Sequence, residues 1–446
     1  MKHKKCCSFP CLGRVLLLLF SFTSLGEDTI TSKKFIKDPA SIISNGSSFR
    51  LGFFTPLNST GRYVGIWFNH ISSSQTIVWV ANRDKPLNNT SGIFTIYKDG
   101  NLVVLDGNGT VLWSSNVSSS SSTTNTIARI LDSGNLVLED TTSGNTIWES
   151  FKHPSDKFLN SMKLITNKRT KEKVKLTSWN TPFNPSTGNF SLALEVLTLP
   201  EVVIWKNNNN NNNPYWRSGP WNGRSFTGIP DMDLDYISGL NLFIANQTYT
   251  LSIPRNYHIQ YFAYLALTSR GNLELTNWDT EKKHWNAGWS LLKTECDYYG
   301  TCGAFGICNP KASPICSCLK GFKPKNEKEW NEGNWSGGCV RRTPLQCINI
   351  NGRAEEDGFV SVEMVKLPFF VEWFILGYTE EDCKQECLRN CSCKAYAYEN
   401  GIRCMLWKSD ELIDIQKFEI RGATLHLRMA YAELDHTCTL FLKFYH

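Results

Sequence analysis

Asp99-Gly100-Asn101-Leu102-Val103-Val104-Leu105 is followed by Val111-Leu112-Trp113, and the same order of residues returns downstream. It recurs as Ser133-Gly134-Asn135-Leu136-Val137-Leu138 with Ile147-Trp148. A third copy reads Arg270-Gly271-Asn272-Leu273-Glu274-Leu275 and ends at Trp278. In each copy a Gly-Asn turn feeds an alternating or wholly apolar run and then a tryptophan, the signature of a β-hairpin. Tyr63-Val-Gly-Ile-Trp67 and Ile77-Val-Trp-Val80 add strands of the same kind, whereas no helical period of useful length precedes Thr379. Repeated hairpins with inward tryptophans predict a mainly β protein, its strand groups packed as a prism or barrel about a pseudo-symmetry axis.

Cysteine usage divides the chain. None occurs between Cys11 and Cys296, and twelve crowd between Cys296 and Cys404. The long first part must therefore fold by core burial, while the shorter second part is held by cross-links, as in small secreted modules. Cys316-x-Cys318 and Cys391-x-Cys393 could ligate zinc, but an oxidising compartment favours disulfides. Lys2, Lys4 and Lys5 precede the apolar run Val15–Phe20, and Ser24-Leu25-Gly26 offers small residues for cleavage. Residues 1–26 read as a signal peptide, because the apolar run is well short of the ~20 residues a membrane span needs. Its removal takes four basic residues and no acidic ones from a chain of formal charge +6. The remainder is near neutral, and nothing in it suggests a nucleic-acid partner.

N-glycosylation sequons stand at Asn45, Asn58, Asn88, Asn89, Asn108, Asn116, Asn189, Asn246, Asn334 and Asn390. Asn89 is disfavoured because it abuts Asn88, and Asn390 because it lies in a cysteine cluster; the loops around the others should face solvent. The eight histidines are scattered, with no nucleophile elbow, zincin helix or phosphate loop, so catalytic residues, cofactor and metal are all read as none. His153 in His153-Pro-Ser-Asp156 reads as a polar turn between strands.

Several longer stretches carry a resemblance: Phe49-Arg-Leu-Gly-Phe-Phe54, Val78-Trp-Val-Ala-Asn-Arg-Asp84, Trp148-Glu-Ser-Phe151 with His153–Asp156, Tyr215-Trp-Arg-Ser-Gly-Pro-Trp-Asn-Gly223 and Cys302-Gly-Ala-Phe-Gly306. Residues 28–430 are similar to the ectodomain of plant S-locus glycoproteins and of G-type lectin S-receptor-like serine/threonine kinases. The resemblance implies two bulb-type lectin-like β-prism domains (27–153 and 154–290), an EGF-like module (291–345) and a PAN/apple module (346–430) with one helix on a small antiparallel sheet. A divergent tail (431–446) holds Cys438.

The resemblance also implies pairings and partners. Six cysteines allow fifteen connectivities; the family pattern implies Cys296–Cys308, Cys302–Cys316 and Cys318–Cys339. In the PAN-like part it implies Cys383–Cys404 and Cys387–Cys393, leaving Cys347 and Cys391 as a third bridge. Thr379-Glu-Glu-Asp382 reads as a helix start, placing Cys383 and Cys387 on one face. One carboxylate before Cys296, in Leu292-Lys-Thr-Glu295, is too little for calcium.

Monocot mannose lectins of this fold use Gln-x-Asp-x-Asn-x-Val-x-Tyr. Here Asp99, Asn101 and Val103 match, but Tyr97 and Leu105 replace the outer groups, so a plain turn is favoured over a sugar site. The partners implied are a small cysteine-rich protein ligand or an S-domain receptor kinase, as in pollen recognition, with homo- or hetero-dimerisation and glycans as further candidates. A secreted glycoprotein without catalysis is the leading reading; a mannose-binding defence lectin and a truncated piece of a receptor kinase are the alternatives. The latter is raised because Leu434–His446 ends without 18 apolar residues in a row or a kinase motif. The asparagine run Asn207–Asn213 has no apolar content and predicts a mobile loop.

Overall fold

The computed structural model describes residues 28–69, 71, 75–117, 125–208, 211–232, 240–253, 263–346 and 357–434. The leader, Cys347, Cys438 and the tail beyond Leu434 lie outside them. The architecture is mainly β.

The first twelve strands form three antiparallel sheets of four. One joins Ser41–Ile43, Phe49–Phe54, Tyr63–Phe68 and Ile77–Val80; the second Ile36–Lys37, Ile93–Ile96, Leu102–Leu105 and Val111–Ser114. The third joins Thr29–Ile30, Thr126–Ile130, Leu136–Asp140 and Thr146–Glu149. In each sheet the fourth strand sets a tryptophan opposite an aliphatic residue of the third: Trp79 against Ile66, Trp113 against Val104 and Trp148 against Leu138. The three indoles meet edge-to-face, their centroids 5.7, 5.9 and 5.7 Å apart. That geometry suits the aromatic quadrupole and fills the axis with the largest apolar side chains available.

A second prism follows, and among the described residues one of its sheets has three strands. Lys157–Leu159, Ala263–Leu267, Leu273–Asp279 and His284–Ser290 form one four-stranded sheet, and Lys175–Thr181, Asn184–Val196, Pro200–Asn208 and Asn211–Arg217 another. Here Trp289 stands opposite Leu275 and Trp216 opposite Ile204. The third sheet has three strands, in the order Lys163–Asn167, Thr248–Ser252, Asn241–Ala245. No sixth tryptophan closes the axis. Phe226 and Ile229, from the loop after Arg217, reach in instead and leave a cavity of about 40 Å³ walled by Leu164, Leu251, Trp216 and Trp289.

Two expectations change. The tryptophan of the third repeat that corresponds to Trp113 and Trp148 is Trp289, not Trp278; Trp278 lies on the repeat's own first strand, across from Trp285. The hairpin is longer here, so the inward residue comes later. The asparagine run is not simply a loop: the ladder of its flanking strands continues through Asn207↔Asn212 and Asn208↔Asn211. Backbone pairing needs no apolar side chain once Val203 and Arg217 have set the register.

The cysteine-rich part is built on one eight-stranded sheet, which the hairpin Gly306–Cys308/Cys316–Cys318 joins through a parallel pairing of Ile307 with Ile415. Next to Ile415–Lys417 run Gly358–Lys366, Ala423–Met429, Ala395–Glu399, Arg403–Trp407 and, at the far edge, Trp373–Ile375. The helix Glu380–Arg389 packs on this sheet and starts with a reciprocal cap, Asp382 N–H donating to Thr379 Oγ1 at 3.2 Å and Thr379 N–H to Asp382 Oδ2 at 2.9 Å. Such a cap satisfies two orphan donors. At the other end Arg428 donates to the carbonyls of Cys387 (2.9 Å), Asn390 (3.0 Å) and Leu388 (3.3 Å) and pairs with buried Asp357 at 3.1 Å. A short helix, Glu327–Asn331, capped by Asn326, was not foreseen from the sequence.

Candidate recognition surface and the motifs that frame it

The repeated Gly-Asn turn has one geometry in all three copies. Gly100, Gly134 and Gly271 hold φ of 82°, 84° and 82°, a conformation that costs a residue with a Cβ. A Cβ at Gly271 would also stand 2.6 Å from Phe190. The asparagine that follows is a clamp. Asn101 Oδ1 accepts from Ser115 Oγ at 2.8 Å and from Val117 N–H at 2.7 Å, while Ser115 Oγ accepts from Leu102 N–H at 3.1 Å. Asn135 repeats the arrangement with Ser150 Oγ at 3.1 Å and Phe151 N–H at 3.1 Å. In the third copy Leu291 replaces the serine, and Asn272 Oδ1 accepts from Leu292 N–H at 3.0 Å.

This geometry bears directly on the sugar motif. Asp99 is exposed, its Oδ1 taken by Asn101 N–H at 3.0 Å within the turn. Asn101 is 8% exposed and Val103 2%. Of the three, Asp99 alone is exposed. The clamp could have been suspected from the sequence, since a serine stands two residues after Trp113, Trp148 and Trp216.

The other quoted stretches join modules. Arg83 reaches from the first prism to three carbonyls of the second, Pro185 at 2.8 Å, Ser178 at 2.7 Å and Thr177 at 3.3 Å. Asp84 accepts from Thr187 N–H at 2.7 Å and its hydroxyl at 2.9 Å. The linker His153–Asp156 answers on the other side: Trp79 Nε1–H donates to the His153 carbonyl at 2.9 Å and Val80 N–H to Ser155 Oγ at 3.0 Å. The His153 ring stacks on Trp148 at 5.5 Å.

Arg217 does the same further along. Wholly buried, it donates to Asp414 Oδ2 at 2.8 Å and Glu201 Oε2 at 3.3 Å and also to the Leu367 carbonyl. Lys366 Nζ lies 2.9 Å from the same Asp414 carboxylate, and Gly300 N–H donates to its other oxygen at 3.3 Å. Two cations and two anions therefore balance in a buried site where the second prism and the cysteine-rich part meet. Burial pushes Glu201 up and Lys366 down, opposed by Arg217 and Asp414 respectively, and burial raises Tyr299 alongside to about 12. Sequence reading quoted Arg217 and missed its role, because Asp414 lies 197 residues away.

Disulfides join Cys296–Cys308, Cys302–Cys316, Cys318–Cys339, Cys383–Cys404 and Cys387–Cys393. Cys391 is disulfide-bonded too, and Cys347 lies outside the described residues. The clustered sulfurs of Cys302, Cys308 and Cys316 are held in these bridges and offer no thiolate to a metal. The sequon residues Asn45, Asn58, Asn88, Asn89, Asn108, Asn116, Asn189, Asn246 and Asn334 are exposed, and Asn390 is half-buried. Ser361 Oγ, His426 Nδ1 (3.0 Å) and Glu380 (3.4 Å from His426 Nε2) imitate a catalytic relay. Ser361 and His426 are direct cross-strand neighbours, which accounts for the contact without chemistry. Among the described residues no helix is long and apolar enough to cross a membrane.

Comparison with known proteins agrees with this architecture. Models of the D-mannose binding lectin domain, the S-locus glycoprotein domain and the PAN-like domain match residues 76–180, 216–326 and 347–415. An Arabidopsis thaliana G-type lectin S-receptor-like serine/threonine-protein kinase is 48% identical over 94% of this chain and 51% of its own length; another, SD1-13, is 43% identical over 95% and 51%. Among solved structures, a monomeric monocot mannose-binding lectin from Gastrodia elata is 19% identical over 28% of this chain and 96% of its own, with a TM-score of 0.21. The chain spans about half the length of the curated relatives it matches. It is a homologue, along nearly all of its own length, of the G-type lectin S-receptor-like kinases, and carries lectin, S-locus glycoprotein and PAN-like domains.

Proposed function

We propose that the chain is an extracellular, N-glycosylated recognition module of the S-locus type. It binds a small cysteine-rich protein ligand or an S-domain receptor kinase and performs no catalysis itself. The Arg217 junction supports this reading best. By locking Arg217, in the span that matches the S-locus glycoprotein domain, to Asp414, in the span that matches the PAN-like domain, it presents several loops as one rigid surface, which lowers the ordering cost of binding a protein. Export rests on residues 1–26, glycosylation on the exposed sequons, and the last bridge on Cys347–Cys391. Capture from plant extracts by the purified chain tests the reading: recovery of a cysteine-rich ligand or receptor kinase supports it, and recovery of neither overturns it.

Sugar binding at Asp99, Asn101 and Val103 is the second reading. The exposed Asp99 carboxylate favours it; the occupied, buried Asn101 amide opposes it. Mannose signal on a glycan array that Asp99→Ala abolishes would establish it. A transcript running on from Glu433 into an apolar helix and kinase would make the module part of a receptor.

A further inference from the structure

Charge is spread unevenly along the chain. Residues 27–446 hold 43 basic and 41 acidic side chains, a formal charge of +2. The stretch 163–175 alone holds six basic ones, Lys163, Lys168, Arg169, Lys171, Lys173 and Lys175, against the one acid Glu172, so everything else sums to −3. Crowding of one sign costs stability through self-repulsion, and a fold that is otherwise slightly acidic has the means to neutralise it. It does so for one cation: Lys173 Nζ lies 2.6 Å from Glu195 Oε2. Lys168 leans on Tyr249, 6.0 Å from the ring centroid, and its Nζ donates to the Leu197 carbonyl at 3.4 Å. Lys163, Arg169, Lys171 and Lys175 are exposed, and among the described residues their side chains have no anionic partner.

The hairpin that carries these cations is held from several sides. Asn167 N–H donates to the Glu172 carbonyl at 2.9 Å and Val174 N–H to the Ile165 carbonyl at 2.8 Å. Within the turn, Asn167 Oδ1 accepts from the N–H groups of Arg169 and Thr170, both at 2.9 Å. Lys168 N–H donates to the Gln247 carbonyl at 3.0 Å, which ties the turn to the neighbouring strand pair, and Leu164, Thr166, Val174 and Leu176 are buried beneath it. The charges are thus displayed on a preorganised backbone, with no large apolar side chain exposed among them.

We propose that this hairpin binds a linear acidic polysaccharide, one that carries a carboxylate on each sugar. Folded-protein interfaces place aromatic and aliphatic anchors at their centre and are depleted in lysine; this strip offers the reverse. Five of its six cations are lysines, point charges that read charge density, where arginine would read the planar geometry of a single group. That suits a polymer whose charges are evenly spaced. Nucleic acid has such charges too, but a chain cross-linked by disulfides belongs to an oxidising compartment, where the linear polyanions at hand are polysaccharides. Binding is then driven by counterion release. The sequon residue Asn246 stands next to Gln247, so the glycosylated chain is the form to test. The inference goes beyond the protein-ligand reading and stands or falls apart from it.

Fluorescence anisotropy of a labelled polygalacturonate oligomer, with the full glycosylated and disulfide-bonded chain, should show binding at low salt that weakens steeply as salt is added. Methyl-esterification of the oligomer should remove it. Arg169→Gln with Lys171→Gln takes away two of the four free cations; it should cut the slope of log affinity against log salt by about half and raise the dissociation constant at least ~tenfold at about 50 mM salt, with an unchanged thermal midpoint. Lys323→Gln with Lys325→Gln removes the same net charge from exposed positions in the EGF-like part and should change the dissociation constant less than about twofold. No binding, binding that survives esterification, equal losses from the two double variants, or tighter binding of a single-stranded DNA of equal charge would each overturn the proposal.

Discussion

The two prisms share a plan and differ in how they close. In the first, three four-stranded sheets converge on Trp79, Trp113 and Trp148, and the Trp79 indole N–H is satisfied by the His153 carbonyl. In the second, two tryptophans remain, one sheet has three strands among the described residues, and the Trp289 indole nitrogen is buried with no acceptor among them. What completes the second prism comes from outside its sheets: the plug of Phe226 and Ile229, and the ionic junction with the cysteine-rich part. A prism that fills its own axis needs no staple. One that does not becomes dependent on its neighbours, and that dependence welds it into a composite surface.

Arg217→Ala should break the dependence most severely. It leaves Glu201 buried without its partner and should cost about 3–5 kcal/mol; hydrogen exchange should rise in the second prism and the Gly358–Lys366 region while the first prism stays protected. Equal loss of protection in both prisms would show them to be one cooperative unit. Replacing Cys318 and Cys339 by serine opens a loop of sequence separation 21. By chain entropy that should cost about 3 kcal/mol, with chemical denaturation placing the loss in the cysteine-rich part.

The clamps sharpen the comparison on a smaller scale. Asn101→Ala removes a buried acceptor serving two donors and should cost about 2 kcal/mol, whereas Asn272→Ala, whose Oδ1 serves the single donor Leu292 N–H, should cost about 1 kcal/mol. Matched denaturation curves separate the two; equal losses would mean that the repeats are energetically alike. The smallest effect concerns acid. Burial lowers the His426 imidazole below its ordinary value near 6.5, against Glu380 and with Lys384; Ser361 and Tyr396 also face the ring. Below that value the unfolded chain binds more protons than the folded one. Stability therefore rises with pH through this range and is lost on acidification. His426→Gln should flatten this slope in the C-terminal sheet and leave the first prism's response unchanged.

Much of the fold was legible because hairpins are local. A Gly-Asn turn, an apolar run and a tryptophan lie within about fifteen residues, and their pattern survives reading one strand at a time. The error over Trp278 came from the same locality: the pattern shows that a tryptophan follows but not how long the hairpin will be. The asparagine run misled for a related reason, since its composition says nothing about the ladder on either side. The site was less legible. Asp99, Asn101 and Val103 stand two residues apart in the sequence, and only the folded structure shows that Asn101 accepts from Ser115 and Val117.

By itself, then, the sequence determined the strand content, the turn geometry at Gly100, Gly134 and Gly271, and the division between a cysteine-free part and a cross-linked one, because these follow from backbone conformation and composition over short spans. Tertiary structure alone decided that Arg83 and Arg217 join modules and that Asn101 and Asn135 accept from a serine hydroxyl and a backbone N–H across the hairpin. Each of these depends on which distant segments meet, and the dry interior makes a charge or an unpaired backbone group matter only once they have met.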